Sequence, residues 1–145
     1  MRMTYNEYIE NAIEWAKNQL GSEAYPFLCL AFVEDAYEKG NEIEVFGGSS
    51  AKESADVYGL QKNFENPARG AFVFYDCTGP INGVEKNWGH VALSYGDGRV
   101  IHAWDKVRED HYLALEQLPG ATGWISPQYS GWTGVERILQ GHRQK

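Results

Sequence analysis

The hydrophobic rhythm of this chain changes near residue 70, and few folds accommodate that order. Before it, apolar residues recur at helical spacing. Tyr5, Tyr8, Ile9, Ala12, Ile13, Ala16 and Leu20 mark one helix face, opened by a Thr4/Glu7 capping box and closed by Gly21. After a loop carrying Pro26, the run from Leu28 to Tyr37 predicts a second, buried helix that stops at Gly40, with Cys29 in its first turn. Ser50 and Glu53 form the same capping pattern ahead of a short third helix over 51–58. Beyond residue 70, Ala71–Tyr75, His90–Tyr95 and Arg99–Trp104 are short runs of β-branched and aromatic residues, hence strands, and the last two flank Gly96-Asp97-Gly98 as a hairpin. Tyr112–Leu115 and Gly123–Ile125 are expected to add further short strands, with Val135–Leu139 before a polar tail. Helices followed by antiparallel strands imply an α+β fold, its N-terminal helices packed on a central antiparallel sheet.

Composition narrows the function. A chain of 145 residues suits one domain, expected to span 1–145. A net charge of −7 with scattered Lys and Arg gives no electrostatic footprint for nucleic acid or anionic lipid. No stretch approaches the ~20 apolar residues of a membrane span, and the N-terminus lacks the apolar core of a signal peptide. The protein is therefore expected in the cytoplasm unless lysis or a specialised secretion route releases it. Two cysteines make neither a disulfide framework nor, without a C-x-x-C or H-x-x-x-H partner, a zinc site, so no metal or cofactor is implied.

Chemistry concentrates at Cys29. A helix N-terminus favours negative charge, so a thiol in the first turn is expected to have a lowered pKa and to act as nucleophile. His90, opening a strand after Gly89, is the candidate base, with the glycine expected to leave room for substrate. Strand parity supplies the third member. With a three-residue loop at Gly96-Asp97-Gly98, Tyr95 opposes Arg99, His90 opposes Trp104 and Ala92 opposes His102, which puts both histidines on one face as diagonal neighbours about 7–8 Å apart at Cα. A two-residue loop would separate them. His102 then accepts a hydrogen bond from His90 and aims its other nitrogen at Cys29. The backbone N–H of Cys29 and the Tyr25 phenol are candidate oxyanion donors. A thiolate–imidazolium pair of this kind predicts activity that rises as the pair forms and falls when His90 loses its proton.

These residues carry a resemblance. Cys29 at a helix start, Pro67-Ala68-Arg69-Gly70-Ala71-Phe72-Val73-Phe74, Gly89-His90-Val91-Ala92-Leu93 and Gly98-Arg99-Val100-Ile101-His102-Ala103 together resemble the NlpC-type family of papain-like cell-wall cysteine peptidases, over roughly Trp15 to Trp104. The resemblance implies a papain-like fold. It also implies Cys29 as nucleophile, His90 as base, His102 as its orienting partner and Tyr25 as the family's tyrosine before the cysteine. The implied substrate is a peptidoglycan stem peptide, cut next to D-glutamate. Around the nucleophile the family's usual Asp-Cys-Ser-Gly is replaced by Leu28-Cys29-Leu30-Ala31.

Other readings compete. CHAP-type amidases share the Cys-then-His order, but their counterpart of His102 is usually Glu or Asn. Lipid acyltransferases on a permuted fold place the histidine strand first. A non-catalytic module holding cell-wall peptide or glycan has no physical reason to keep all three residues. Trp88 and Trp104 are candidate substrate contacts, and Trp124 and Trp132 candidate cleft walls. Cys77 is expected in a loop, Asp76 as a turn-starting carboxylate, and His111 and His142 in solvent. Gly96-Asp97-Gly98 is explained as a turn rather than a calcium loop.

Overall fold

In a computed structural model, which describes residues 3–144, the three N-terminal helices form where the sequence places them, α1 and α3 behind side-chain caps and α2 without one. Helix α1 (Tyr5–Lys17) starts with the full capping box, the Thr4 hydroxyl accepting the Glu7 N–H while the Glu7 carboxylate accepts the Thr4 N–H, and it gives way to turns before Leu20. Helix α2 (Cys29–Asn41) runs through Gly40 rather than stopping there. A Cβ at Gly40 would lie 2.8 Å from the Asn11 carbonyl oxygen, so the glycine is there to let α1 and α2 touch. The stop falls on Glu42, in the left-handed region at φ 55°. In helix α3 (Ala51–Tyr58) Ser50 caps the Glu53 N–H, but the Glu53 carboxylate takes the Ser49 hydroxyl at 2.7 Å, so only half of the expected box forms.

Among the described residues nine strands are numbered in order: β1 (Ile43–Glu44), β2 (Phe72–Asp76), β3 (Thr78–Ile81), β4 (Val84–Asn87), β5 (His90–Ser94), β6 (Arg99–Ala103), β7 (Val107–His111), β8 (Gln128–Thr133) and β9 (Arg143–Gln144). Five form an antiparallel sheet in the order β7-β6-β5-β2-β8, while β1 pairs with β9 and β3 with β4. The central strands are buried on both faces, which is why β2 reads as an unbroken apolar run. Phe72, Phe74, Val91, Leu93 and Ile101 pack toward the helices. Val73, Tyr75, Ala92 and Val100 pack on Tyr112 and Leu115, the latter from a 3-10 turn over Ala114–Gln117. Truncating a fully buried ring such as Phe72 to alanine costs about 3–5 kcal/mol in such a core.

The C-terminal half departs from the expected strands. Tyr112–Leu115 leads into the 3-10 turn, Gly123–Ile125 lies in turn and loop, and Val135–Ile138 is a short helix, α4. Strand β7 is polar and lies at the sheet edge, so it carries no apolar run to announce it. Strand β8 carries a bulge: Gly131 pairs with Phe74 of β2 and Tyr129 with Tyr75, which leaves Ser130 without a partner across the strands. The β3–β4 hairpin turns on Asn82-Gly83, both left-handed at φ 51° and 79°, the signature of a tight primed turn. No helix among the described residues is long and apolar enough to cross a membrane.

Candidate active site

Gly96-Asp97-Gly98 are the three residues enclosed by the Tyr95–Arg99 pair that ends the β5–β6 hairpin. Tyr95 N–H donates to Arg99 O, and the next pairs are Ser94 with Val100 and Leu93 with Ile101. This register puts His90 and His102 diagonally on one face, and their rings meet with Nε2 of His90 2.9 Å from Nδ1 of His102. The pattern repeats one strand further on. His102 pairs with Arg108 of β7, and two residues along, on the same face, Asp110 places Oδ2 2.8 Å from His102 Nε2. Arg108 completes the line by donating its Nε–H to the same Oδ2 at 2.9 Å. Asp110 and Arg108 were not singled out from the sequence. The signal was available: residues two apart on a strand share a face.

The line of bonds fixes its own protons. An ionised carboxylate only accepts, so His102 donates from Nε2. A neutral His102 then has a bare Nδ1, which accepts from Nε2–H of His90. His90 is left with an unprotonated Nδ1. Both rings are neutral, because burial holds the pKa of His90 well below the ordinary histidine range, with His102 adding to the shift, and burial also lowers His102 against the pull of Asp110. The Asp110 carboxyl is held below its usual range by His102 and Arg108, despite its own burial.

Cys29 is the first residue of α2, following Leu28, whose side chain caps nothing. The N–H groups of Cys29, Leu30 and Ala31 therefore have no partner within the helix. The Cys29 and Leu30 N–H groups, with that of Val91 next to His90, favour the thiolate, yet desolvation outweighs them and pushes the thiol up to about 11. The expected lowering does not occur. A helix end contributes about 0.3–1 kcal/mol at an exposed site, too little to offset the loss of water around a half-buried sulfur in an apolar wall. At rest the thiol and the imidazole are both neutral.

Cys29 and His90 open on one cavity of about 810 Å³, whose walls include Tyr25, Glu34, Cys77, Trp88 and Trp104. Trp104 packs edge-on against His90 with ring centroids 5.0 Å apart. Trp88 donates its indole N–H to Gly79 O at 3.0 Å and carries the Lys86 ammonium over its ring. The Tyr25 hydroxyl donates to Asp35 Oδ2 at 2.8 Å, which commits the proton expected for an oxyanion, and burial with Asp35 pushes the phenol up to about 12. Gly89, at φ 76°, makes room for the first turn of α3 rather than for substrate, since a Cβ there would lie 2.6 Å from Lys52 N. Glu34 is half-buried with no cation beside it. Desolvation, then Glu38 and Asp35, raise its carboxyl to about 7.

Phe27 and Trp124 meet at this cavity. Tyr25, Pro26, Phe27 and Leu28 form a turn closed by Leu28 N–H to Tyr25 O, with proline second and Phe27 third at φ 57°. That third position ordinarily holds glycine. Left-handed backbone costs an L residue about 1–2 kcal/mol. The Phe27 ring, 66% exposed, stacks on Trp124 at 5.7 Å with planes 29° apart, and such pairs contribute about 0.5–1.5 kcal/mol.

The remaining candidates lie elsewhere or do other work. Cys77 lies in the connection between β2 and β3, as expected, but is buried, lines the cavity and points its Sγ to Ile125 O at 3.6 Å. Asp76 accepts from Asn87 and braces the β3–β4 hairpin. His111 is exposed, whereas His142 is half-buried, edge-on to Tyr8. Trp132 lines a separate hollow with Arg69 and Arg137. Asp97 pairs with Arg99 across its turn. Among the described residues no three His, Cys, Asp or Glu side chains are grouped as a metal ion requires.

No family model matches the sequence, and no curated protein matches it. Solved structures do resemble the fold. NlpC1 from Trichomonas vaginalis superposes with a TM-score of 0.56 at 17% identity, covering 92% of this chain and 47% of its own. NlpC2 from the same organism gives 0.56 at 18%, covering 92% and 49%. An NlpC/P60 family protein from Bacillus cereus gives 0.53 at 19%, covering 88% and 40%. This chain thus spans about half the length of those proteins or less, and its α+β architecture is the fold found in NlpC/P60 proteins.

Proposed function

We propose that this protein is a cysteine peptidase that hydrolyses amide bonds in peptidoglycan stem peptides, next to D-glutamate, with Cys29 as nucleophile, His90 as base and His102 as its orienting partner. The observation that carries this reading is the continuous line of hydrogen bonds from Arg108 through Asp110 and His102 to His90, ending on the cavity where Cys29 stands. A buried line of this kind has one strong chemical use, which is to hold an imidazole lone pair in place.

In the proposed reaction, Nδ1 of His90 takes the Cys29 proton as Sγ attacks the carbonyl carbon, so an S–C bond forms while the C=O π pair moves to oxygen. The uncapped N–H groups at the start of α2 meet that oxyanion. The resulting imidazolium gives its proton to the leaving nitrogen as the C–N bond breaks. Water then attacks the thioester, His90 takes and returns a proton, and the acid and free thiol are released. Asp110 is a positioning residue: it never meets substrate, but it keeps His102 in the tautomer that accepts from His90. The substrate class follows from the resemblance of sequence motifs and fold to NlpC-type proteins.

The test is digestion of purified peptidoglycan and of a free L-Ala-D-Glu-containing stem peptide by wild type and Cys29→Ala, with products identified by mass spectrometry. Cleavage within the stem peptide by wild type alone is expected. Release of intact stem peptide from glycan would identify an amidase instead, and cleavage that survives Cys29→Ala would sink the mechanism.

A further inference from the structure

We propose that Phe27 and Trp124 form a gate across the mouth of the cavity, one that admits a single unbranched peptide chain and turns away cross-linked or glycan-bound ones, so that Phe27 helps set the substrate class. This rests on the peptidase reading for its substrate, though not for its geometry.

Three observations support the gate. The two rings come from opposite sides of the site. Phe27 precedes the nucleophile by two residues, whereas Trp124 lies in the C-terminal loop and rests flat on Gly79 of β3, where even a Cβ would sit 2.0 Å from the indole. Their stack therefore joins the start of α2 to the β3–β4 hairpin at the exposed margin of the cavity that both line. Next, Phe27 is the anomaly among the non-glycine residues with positive φ. Glu42 ends a helix and Asn82 sits in a hairpin turn, both ordinary left-handed positions, but Phe27 takes a bulky ring into a turn position made for glycine. Strain of that kind persists where something else holds it, and here the stack does. Finally, the strain and the stacking are of the same order, so neither the closed nor the open form dominates strongly. A chain that fits beneath the arch passes, and a wider one waits for it to part.

Phe27→Gly removes the ring and suits the left-handed backbone, so it leaves the turn intact. Trp124→Ala opens the arch from the other side. The full chain in each form is reacted with iodoacetamide and with a maleimide carried on a bulky polymer, and the rate at Cys29 is read by peptide mapping. The bulky-to-small rate ratio is expected to rise roughly five-fold in both variants. Equal ratios in all three proteins would overturn the gate. With substrates, Phe27→Gly should raise the ratio of kcat/KM on cross-linked peptidoglycan to that on free stem peptide by a similar factor, and a parallel fall on both would make the ring a binding platform and overturn the gate as well. The labelling needs no turnover, so it decides the gate even if the peptidase reading fails.

Discussion

From His90 on the strand wall of the cavity, a line of four polar side chains runs back through β6 to β7, and every one has a partner: Arg108 holds Asp110, Asp110 holds His102 and His102 holds His90, with both histidines buried. On the helix wall, Cys29 and Glu34 are similarly desolvated but have no cation beside them, and both acids are pushed up, to about 11 and about 7. Burial thus gives order on one side and, on the other, acids driven toward their neutral forms. A fully bonded line resists change in any member. A lone desolvated acid responds to pH, to substrate and to mutation by changing its own state. In the proposed reaction the strand wall aims the chemistry, and the helix wall supplies the group that reacts.

The largest test of that division is loss of each wall's terminal residue. Cys29→Ala should reduce stem-peptide cleavage below detection, and His90→Ala should lower kcat by roughly a hundred- to ten-thousand-fold. His102→Ala should cost less than His90→Ala, because His102 acts through its neighbour. If His102→Ala were the more damaging of the two, the order of the line would be wrong.

Asp110→Asn sharpens the comparison, since it keeps the shape of the strand wall but replaces a carboxylate with a neutral amide. Because the atom facing His102 Nε2 also accepts the Arg108 Nε–H, the amide oxygen takes that place, and the variant removes the negative charge that holds His102 in line and stabilises an imidazolium beside it. A fall in kcat of roughly a hundred-fold with little change in KM is expected, together with altered ¹⁵N shifts of both rings. Unchanged ring shifts and kcat would reduce Asp110 to a structural ion pair.

The pH profile asks whether the walls share a proton at rest. A preformed ion pair, the arrangement expected from the sequence, gives a bell with an alkaline fall when His90 deprotonates. The buried site predicts otherwise. His90 is already neutral at pH 7, so kcat/KM should rise on one acid limb below the ordinary histidine range and stay level through neutral and mildly alkaline pH. A fall between pH 7 and 9 would restore the ion pair.

How much of this was legible in the sequence differs between the walls in the same way. The hairpin register follows from counting residues around Gly96-Asp97-Gly98, because strand periodicity is two and a one-residue slip moves every side chain to the other face. The same count carried one strand further would have reached Asp110, but β7 is a polar edge strand whose residues Val107–His111 carry no apolar pattern. The helix wall was placed correctly and its electrostatics were not. Sequence locates Cys29 at a helix start, while the balance between that helix end and desolvation depends on what three separate segments pack around the sulfur. Phe27 was invisible for a related reason: Pro26-Phe27 does not announce a turn whose third position ordinarily takes glycine.

The smallest expected effect concerns Glu34, and its sign follows from linkage. In the unfolded chain a glutamate titrates near its ordinary value, 4.5, whereas in the fold Glu34 is raised to about 7. Between those values the folded state holds a proton that the unfolded state has lost, so the stability associated with Glu34 is lost as pH rises toward 7. The strand-wall histidines run the other way. Their folded values are lowered from 6.5, so the unfolded state binds more protons just below that value and stability falls as pH drops through it. A scan of wild type alone mixes the two walls, and comparison with Glu34→Gln at each pH separates them. At pH 8 the variant removes a charge that is desolvated and faces Glu38 and Asp35. The gain is about 1 kcal/mol once the partial solvent exposure of the site is allowed for. It should shrink steadily as pH falls and vanish by about pH 5, where the wild-type carboxyl is itself neutral in the fold. A variant less stable than wild type at pH 8 would show that the carboxylate has a partner, and that the helix wall is no more frustrated than the strand wall facing it.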